Sequence, residues 1–187
     1  MGARKLQAAL GVLSLAVLVL AGCGSSSSDE DSTTSVKDSL PEGPTRQFYV
    51  PGEDNSVQLF GHEAAPSVRE TASRVVQAWL RARATHDWDE DCRHLSWETV
   101  NYAITSATTL GQRMVRDCGK ALAIIAAKGP DVSRRYNMAG SVASLRLEEG
   151  RGYAQYHGDE GRDWIVPVRQ ENGVWKISAL DPIERFK

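Results

Sequence analysis

Three regimes of hydrophobic patterning divide the chain. Ala8 to Leu20 is apolar except at Gly11 and Ser14, too short to span a bilayer comfortably and suited to the apolar core of an export signal. Gly24 to about Arg46 shows almost no apolar pattern. From Val68 the apolar positions Val68, Ala72, Val75, Val76, Trp79 and Leu80 follow helical spacing. They predict a helix entered at Ser67, after Pro66, with Glu70 placed to complete a capping box. Arg69, Arg74, Arg81 and Arg83 then make the solvated face. A second helix is predicted from Asp87, with Glu90 three residues on and Trp88 and Leu95 buried. Trp97 to Arg116 reads as helical in part. Another helix runs from Cys118 to Ala127 and stops before Gly129-Pro130.

Beyond Asn137 the period becomes two, and the pattern predicts strands at Val142–Leu147, Gly152–His157, Asp163–Gln170 and Val174–Leu180. Turn residues separate them at Glu149-Gly150, Gly158-Asp159-Glu160-Gly161 and Glu171-Asn172-Gly173. Pro167 interrupts the third strand and implies an edge or a bulge there. Upstream, Phe48-Tyr49-Val50 and the group Val57, Leu59 and Phe60 read as two short extended pieces around a turn. They form either a lead-in packed on the domain or an exposed aromatic patch for a partner. Helices followed by an antiparallel meander define an α+β class, with one domain over residues 47–187.

The N-terminus adds a location. Arg4 and Lys5 precede the apolar run, and the run ends in Leu20-Ala21-Gly22-Cys23. This ending resembles the bacterial lipobox, which implies cleavage after residue 22, a diacylglycerol on the Cys23 thiol, and further acylation such as palmitate. The chain is therefore expected to be an exported lipoprotein on the outer face of a cell membrane, anchored in the bilayer through Cys23. Residues 23–46 would be a Ser- and Asp-rich tether that cannot bury enough surface to fold. A flexible tether of that length reaches about 25–30 Å. Loss of Arg4 and Lys5 with the signal moves the formal charge from −2 to −4, which gives no electrostatic case for a nucleic-acid partner.

Four stretches carry a resemblance to a family: Leu59-Phe60-Gly61-His62-Glu63-Ala64, Ala82-Arg83-Ala84-Thr85-His86-Asp87-Trp88 leading to Cys92, the Tyr156-His157-Gly158 turn, and the closing Gly173-Val174-Trp175-Lys176-Ile177. Over about Val57 to Ile183 the chain resembles bacterial lipoproteins of uncharacterised role that carry a nuclear transport factor 2-like, cone-shaped domain. The resemblance implies N-terminal helices packed on a curled sheet of about four strands. In that superfamily the cone serves as an active site in ketosteroid isomerase and polyketide cyclases, and as a binding cavity elsewhere. No catalytic set of those enzymes maps onto this chain residue by residue.

Candidate chemistry is sparse. Cys92 and Cys118 remain once Cys23 is lipidated, and an even pair in an exported domain predicts a disulfide. Asp87, Asp89, Asp91 and Glu98 match acidic positions of a calcium loop, but Cys92 stands where that loop needs Gly. Asp87, Asp91 and His94 share a helical face, yet acidic residues at a helix N-terminus are explained by its dipole, so no metal is expected. Tyr153, Gln155 and His157 alternate onto one strand face with Asp163 just past the turn. If that face lined the cone, His157 with Asp163 or Tyr153 would form an acid–base set. Trp79, Trp88, Trp164 and Trp175 read as core or cavity wall. Neither a phosphate-cradling Gly loop nor a nucleophile elbow is present, and no cofactor is expected. The leading expectation is a non-catalytic domain that binds a small apolar ligand or an envelope protein. The alternative is an isomerase- or cyclase-like enzyme using the same cavity.

Overall fold

The computed structural model describes residues 40–111, 113–131 and 136–185. The signal run, Cys23 and the tether up to residue 39 lie outside the described residues. Among those described, a 3₁₀ helix (Pro44–Phe48) and strand β1 (His62–Glu63) precede four helices, α1 (Pro66–Ala84), α2 (Trp88–His94), α3 (Trp97–Gly111) and α4 (Cys118–Ala126). Strands β2 (Ser144–Glu148), β3 (Arg151–His157), β4 (Asp163–Glu171), β5 (Val174–Ile177) and β6 (Ile183–Arg185) follow. The architecture is α+β. The sheet is antiparallel and open, in the order β1-β2-β3-β4-β5, with β6 also paired to β4. None of the described helices is long and apolar enough to cross a membrane.

Helix α1 forms where the apolar spacing places it, but it is entered differently. Pro66 occupies the first turn, where its missing N–H costs nothing, and Ala65 precedes it without any side-chain cap. Glu70 does not close a capping box; it pairs with Arg74 at 2.9 Å on the exposed face. Helix α2 is capped as expected, with the Asp87 carboxylate accepting from the Glu90 amide at 3.1 Å. Asp117 does the same for α4, accepting from the Lys120 amide at 2.8 Å. The Cys92–Cys118 disulfide is present, its Cα atoms 6.1 Å apart, and it ties α2 to the start of α4.

The core lies between the helices and one face of the sheet. Ala72, Val76 and Trp79 of α1 pack with Leu145, Ala154, Tyr156, Val166 and Ile177, all of them fully buried. Each such large side chain contributes roughly 1.5–3 kcal/mol by leaving water. Trp79, Trp164 and Trp175 belong to this core, and Trp88 packs at its margin. The chain leaves α2 through Leu95, which bridges Ile177, and the Ser96 amide donates to the Ile177 carbonyl at 2.8 Å.

The opposite face of the sheet is covered by the lead-in. Neither of the two extended pieces forms: Phe48 ends the 3₁₀ helix and residues 56–59 are turns. Phe48 is 1% exposed, so it presents no aromatic patch, and Phe60 is half-buried. Pro41 and Thr45 are also buried, so the packed region starts before residue 47 and includes part of the expected tether. Gly61 shows why this segment needs glycine. Its φ is +44°, and a Cβ there would stand 2.0 Å from the Leu147 carbonyl oxygen.

Pro167 lies in β4, which is internal to the sheet rather than an edge. Its carbonyl accepts from the Ser178 amide, so its nitrogen faces the same side, between the end of β5 and the start of β6. Pairing is interrupted there, and the missing donor breaks no ladder bond. The strand expected over Val174–Leu180 accordingly ends at Ile177. The strand expected from Val142 starts at Ser144.

Candidate functional site

The candidate chemistry falls in two places among the described residues, one under the lead-in on one face of the sheet and one beside the helices. On the lead-in face, register pairs His157 with Asp163 across β3 and β4. His157 Nδ1 lies 2.7 Å from the Asp163 carboxylate, and Nε2 lies 2.9 Å from the Gln47 side-chain oxygen. Phe48 stacks on the imidazole with ring centres 4.8 Å apart. Tyr153 shares the face but does not join them. Gln155 stands between, fully buried, bonded to Gln58, Thr45 and Ser144 at 2.6, 3.1 and 3.3 Å. Tyr153 instead meets Phe60 edge-on and borders a separate hollow of about 240 Å³ with Arg169 and Ser178. The expected acid–base set is thus a His157–Asp163 pair under the lead-in, on the face turned away from the helices.

The larger cavity lies on the helical side. A groove of about 530 Å³ opens beside the C-terminal ends of α1 and α4, with Tyr136 and Leu180 also lining it. Its apolar lining comes chiefly from Trp88, Leu122, Ile125 and Ala126. Among the described residues, Arg83, His86, Asp131, Tyr136 and Asp181 bring polar groups to it. His86 stacks on Trp88 at 5.2 Å, and its Nε2 lies 3.3 Å from the Asp131 carboxylate.

Arg83 makes two ion pairs at the groove. Its Nε lies 3.1 Å from Asp91 Oδ2 and its Nη1 lies 2.7 Å from Asp181 Oδ1, while its guanidinium sits 4.9 Å over the Trp79 ring. Arg83 is 8% exposed, so its expected place on the solvated face is corrected. The signal was present: Arg83 follows Val76 by seven and Trp79 by four, on the apolar stripe itself. Asp91 is fully buried. Burial pushes its carboxyl up to about 6, against the pull of the Arg83 guanidinium.

The ligands weighed for a metal are engaged elsewhere. Asp87 caps α2, Asp91 pairs with Arg83, and His94 Nε2 lies 3.1 Å from Glu90. Among the described residues no group of three or more His, Cys, Asp or Glu side chains is arranged to hold a metal ion. Burial holds the His94 imidazole below its usual range, with Glu90 opposing.

The groove residues His86 and Asp131 come from a helix exit and from the loop after α4. Neither carries a spacing that links it to the other in sequence. No protein-family model, curated protein or solved structure matches the chain.

Proposed function

We propose that this chain is an exported lipoprotein, held on the outer face of a cell membrane by lipid on Cys23, whose domain binds a small apolar molecule without transforming it. The observation that carries the binding reading is the 530 Å³ groove, which is lined mainly by apolar side chains with a few polar groups among them. Cavities of this size and lining are the usual form of small-molecule sites. The Leu20-Ala21-Gly22-Cys23 ending supports the anchor. An antiparallel meander with helices on one face supports a cone of the nuclear transport factor 2-like type.

A protein-binding role through an aromatic patch loses its main support because Phe48 is buried. The acid–base pair expected for an isomerase- or cyclase-like reaction, His157 with Asp163, lies on the other face of the sheet and does not line the groove.

Two measurements test the reading. Metabolic labelling of the full chain with an alkynyl fatty acid in a bacterial host should mark wild type and not Cys23→Ser; continued labelling of the variant removes the anchor. Native mass spectrometry of the membrane-extracted chain should show a non-covalent adduct of a few hundred daltons. Filling the groove by Ala126→Trp should remove that adduct, whereas His157→Ala should keep it. An adduct that survives the filled groove, or none on wild type, contradicts the binding reading.

A further inference from the structure

Helix α3 turns to solvent a face unlike that of α1. The exposed residues of α1 include Glu70, Arg74 and Arg81, the usual charged cover of a surface helix. Helix α3 has one charged side chain in its 15 residues, Glu98, and that one is paired with Arg169. From there to its end the exposed positions are Asn101, Tyr102, Thr105, Thr109 and Leu110. Tyr102 and Leu110 share one side of the helix with Ser106 between them, and they are 64% and 46% exposed. Trp97 starts the helix on the opposite flank, where its amide donates to Glu171 at 3.2 Å, and stays outside this stripe. The link to α4 adds Met114, 73% exposed. The link folds back on the helix end, where the Val115 amide donates to the Thr108 hydroxyl at 3.1 Å. Arg113 and Arg116 flank Met114 in sequence and are both exposed, and Arg116 Nε donates to the Met114 sulfur at 3.2 Å.

Resting on the Cys23 anchor proposed above, we infer that this side of α3, with the link after it, docks on the bilayer that holds the lipid. Each side chain suits the boundary between lipid and water. The Tyr102 ring has an apolar body and a polar tip, the chemistry enriched at headgroup depth. Leu110 and Met114 reach the edge of the acyl chains, and the two arginines extend back to the phosphates. Only residues 23–39 separate the lipidated position from the described domain, and they span at most about 60 Å. The bilayer is therefore always within reach, and docking is intramolecular, so a weak surface affinity is enough to hold the domain down. The formal charge of the chain is −2, so the contact is apolar first, and Arg113 and Arg116 add a local attraction to anionic headgroups.

The test uses the full chain in lipid nanodiscs, carrying 3-fluorotyrosine at its five Tyr positions, with each ¹⁹F resonance assigned by Tyr→Phe substitution. Phosphatidylcholine with a doxyl label on its acyl chain is then added to the discs. The paramagnetic lipid should broaden the Tyr102 resonance several-fold more than that of Tyr153, which packs against Phe60 on the lead-in side of the sheet. The double change Leu110→Ser and Met114→Ser falls at exposed positions that tolerate it. It should bring Tyr102 down to the broadening of Tyr153 while the fatty-acid label on Cys23 persists. Equal broadening of Tyr102 and Tyr153 in wild type, or broadening that survives the double change, overturns the inference and leaves the anchor intact. An unbroadened Tyr102 in discs that each hold two chains overturns it too, and assigns the stripe to a second copy. A chain that takes up no fatty acid at Cys23 removes the anchor, and this inference with it.

Discussion

Arg83 Nε and Asp91 Oδ2 stand 3.1 Å apart beside the groove, and Asp91 has no exposed surface at all. The pair joins α1 to α2, and Asp181 extends it to the segment after β5 at 2.7 Å. Removing one partner of such a pair leaves the other charge buried and typically costs about 3–5 kcal/mol. Arg83→Met should therefore lower unfolding free energy by about that much at pH 7.5. The loss should shrink at pH 5, where Asp91 takes a proton. Denaturant unfolding at the two pH values checks both parts.

The same carboxyl gives a signed pH dependence. Asp91 is raised from 3.8 to about 6, so between these values the folded chain holds a proton that the unfolded chain has released. Its contribution to stability is fully present below about pH 4 and is lost as pH rises through 6, with a span of about 3 kcal/mol. His94 acts oppositely: its lowered folded value costs stability as pH falls. Wild type must therefore be compared with Asp91→Asn. The difference in unfolding free energy should move in favour of the variant as pH rises from 4 to 7. A difference that stays flat across that window would contradict the raised carboxyl.

The disulfide closes a loop with a sequence separation of 26 between Cys92 and Cys118. By the chain-entropy model it contributes about 3–4 kcal/mol. Reduction, or the double change to Ser, should lower stability by that amount. Intact-mass alkylation without a reductant should leave both thiols unmodified. Alkylation of both in the folded chain would mean that the bridge does not form.

Gly61 is predicted to be the least replaceable glycine of the lead-in. Gly61→Ala puts a methyl group into the Leu147 carbonyl and keeps a left-handed φ. The cost should exceed about 2 kcal/mol, because backbone rather than a movable side chain stands in the way. Gly161→Ala is the control: its φ of +74° is left-handed too, but the space beside it is open. It should cost only the conformational strain, about 1–2 kcal/mol. Thermal unfolding of the two variants separates the effects.

Periodicity reads well wherever one face of an element is buried and the other is wet. Helix α1 and strand β5 have that property, and their apolar stripes place them, while β3 and β4 are buried on both faces and read instead from the alternation of apolar core positions with the polar positions that the lead-in covers. It fails where tertiary contacts replace the local rule. Arg83 sits on the apolar stripe because Asp91 and Asp181 satisfy its charge, and no spacing within α1 announces partners that distant in the chain. Phe48 looks like a strand residue, yet it packs on His157 from a 3₁₀ turn. Pro167 is tolerated inside the sheet because pairing lapses between β5 and β6. The His157–Asp163 pair was legible from alternation and one turn. What the alternation left open was which sheet face the helices cover, and the pair lies on the other one. The groove was least legible, since its walls come from the ends of elements, where periodicity stops.

The central claim is that the groove beside α1 and α4 is the binding surface. The most direct measurement is ¹⁹F NMR of the full chain in nanodiscs carrying 5-fluorotryptophan at its five Trp positions. Each resonance is assigned by Trp→Phe substitution, and the sample is titrated with a neutral apolar probe, butylbenzene. The account predicts a saturable shift of the Trp88 resonance, with Trp97 on the exposed face of α3 unmoved. A Trp88 resonance that stays fixed while Trp97 shifts would place binding elsewhere and contradict the account.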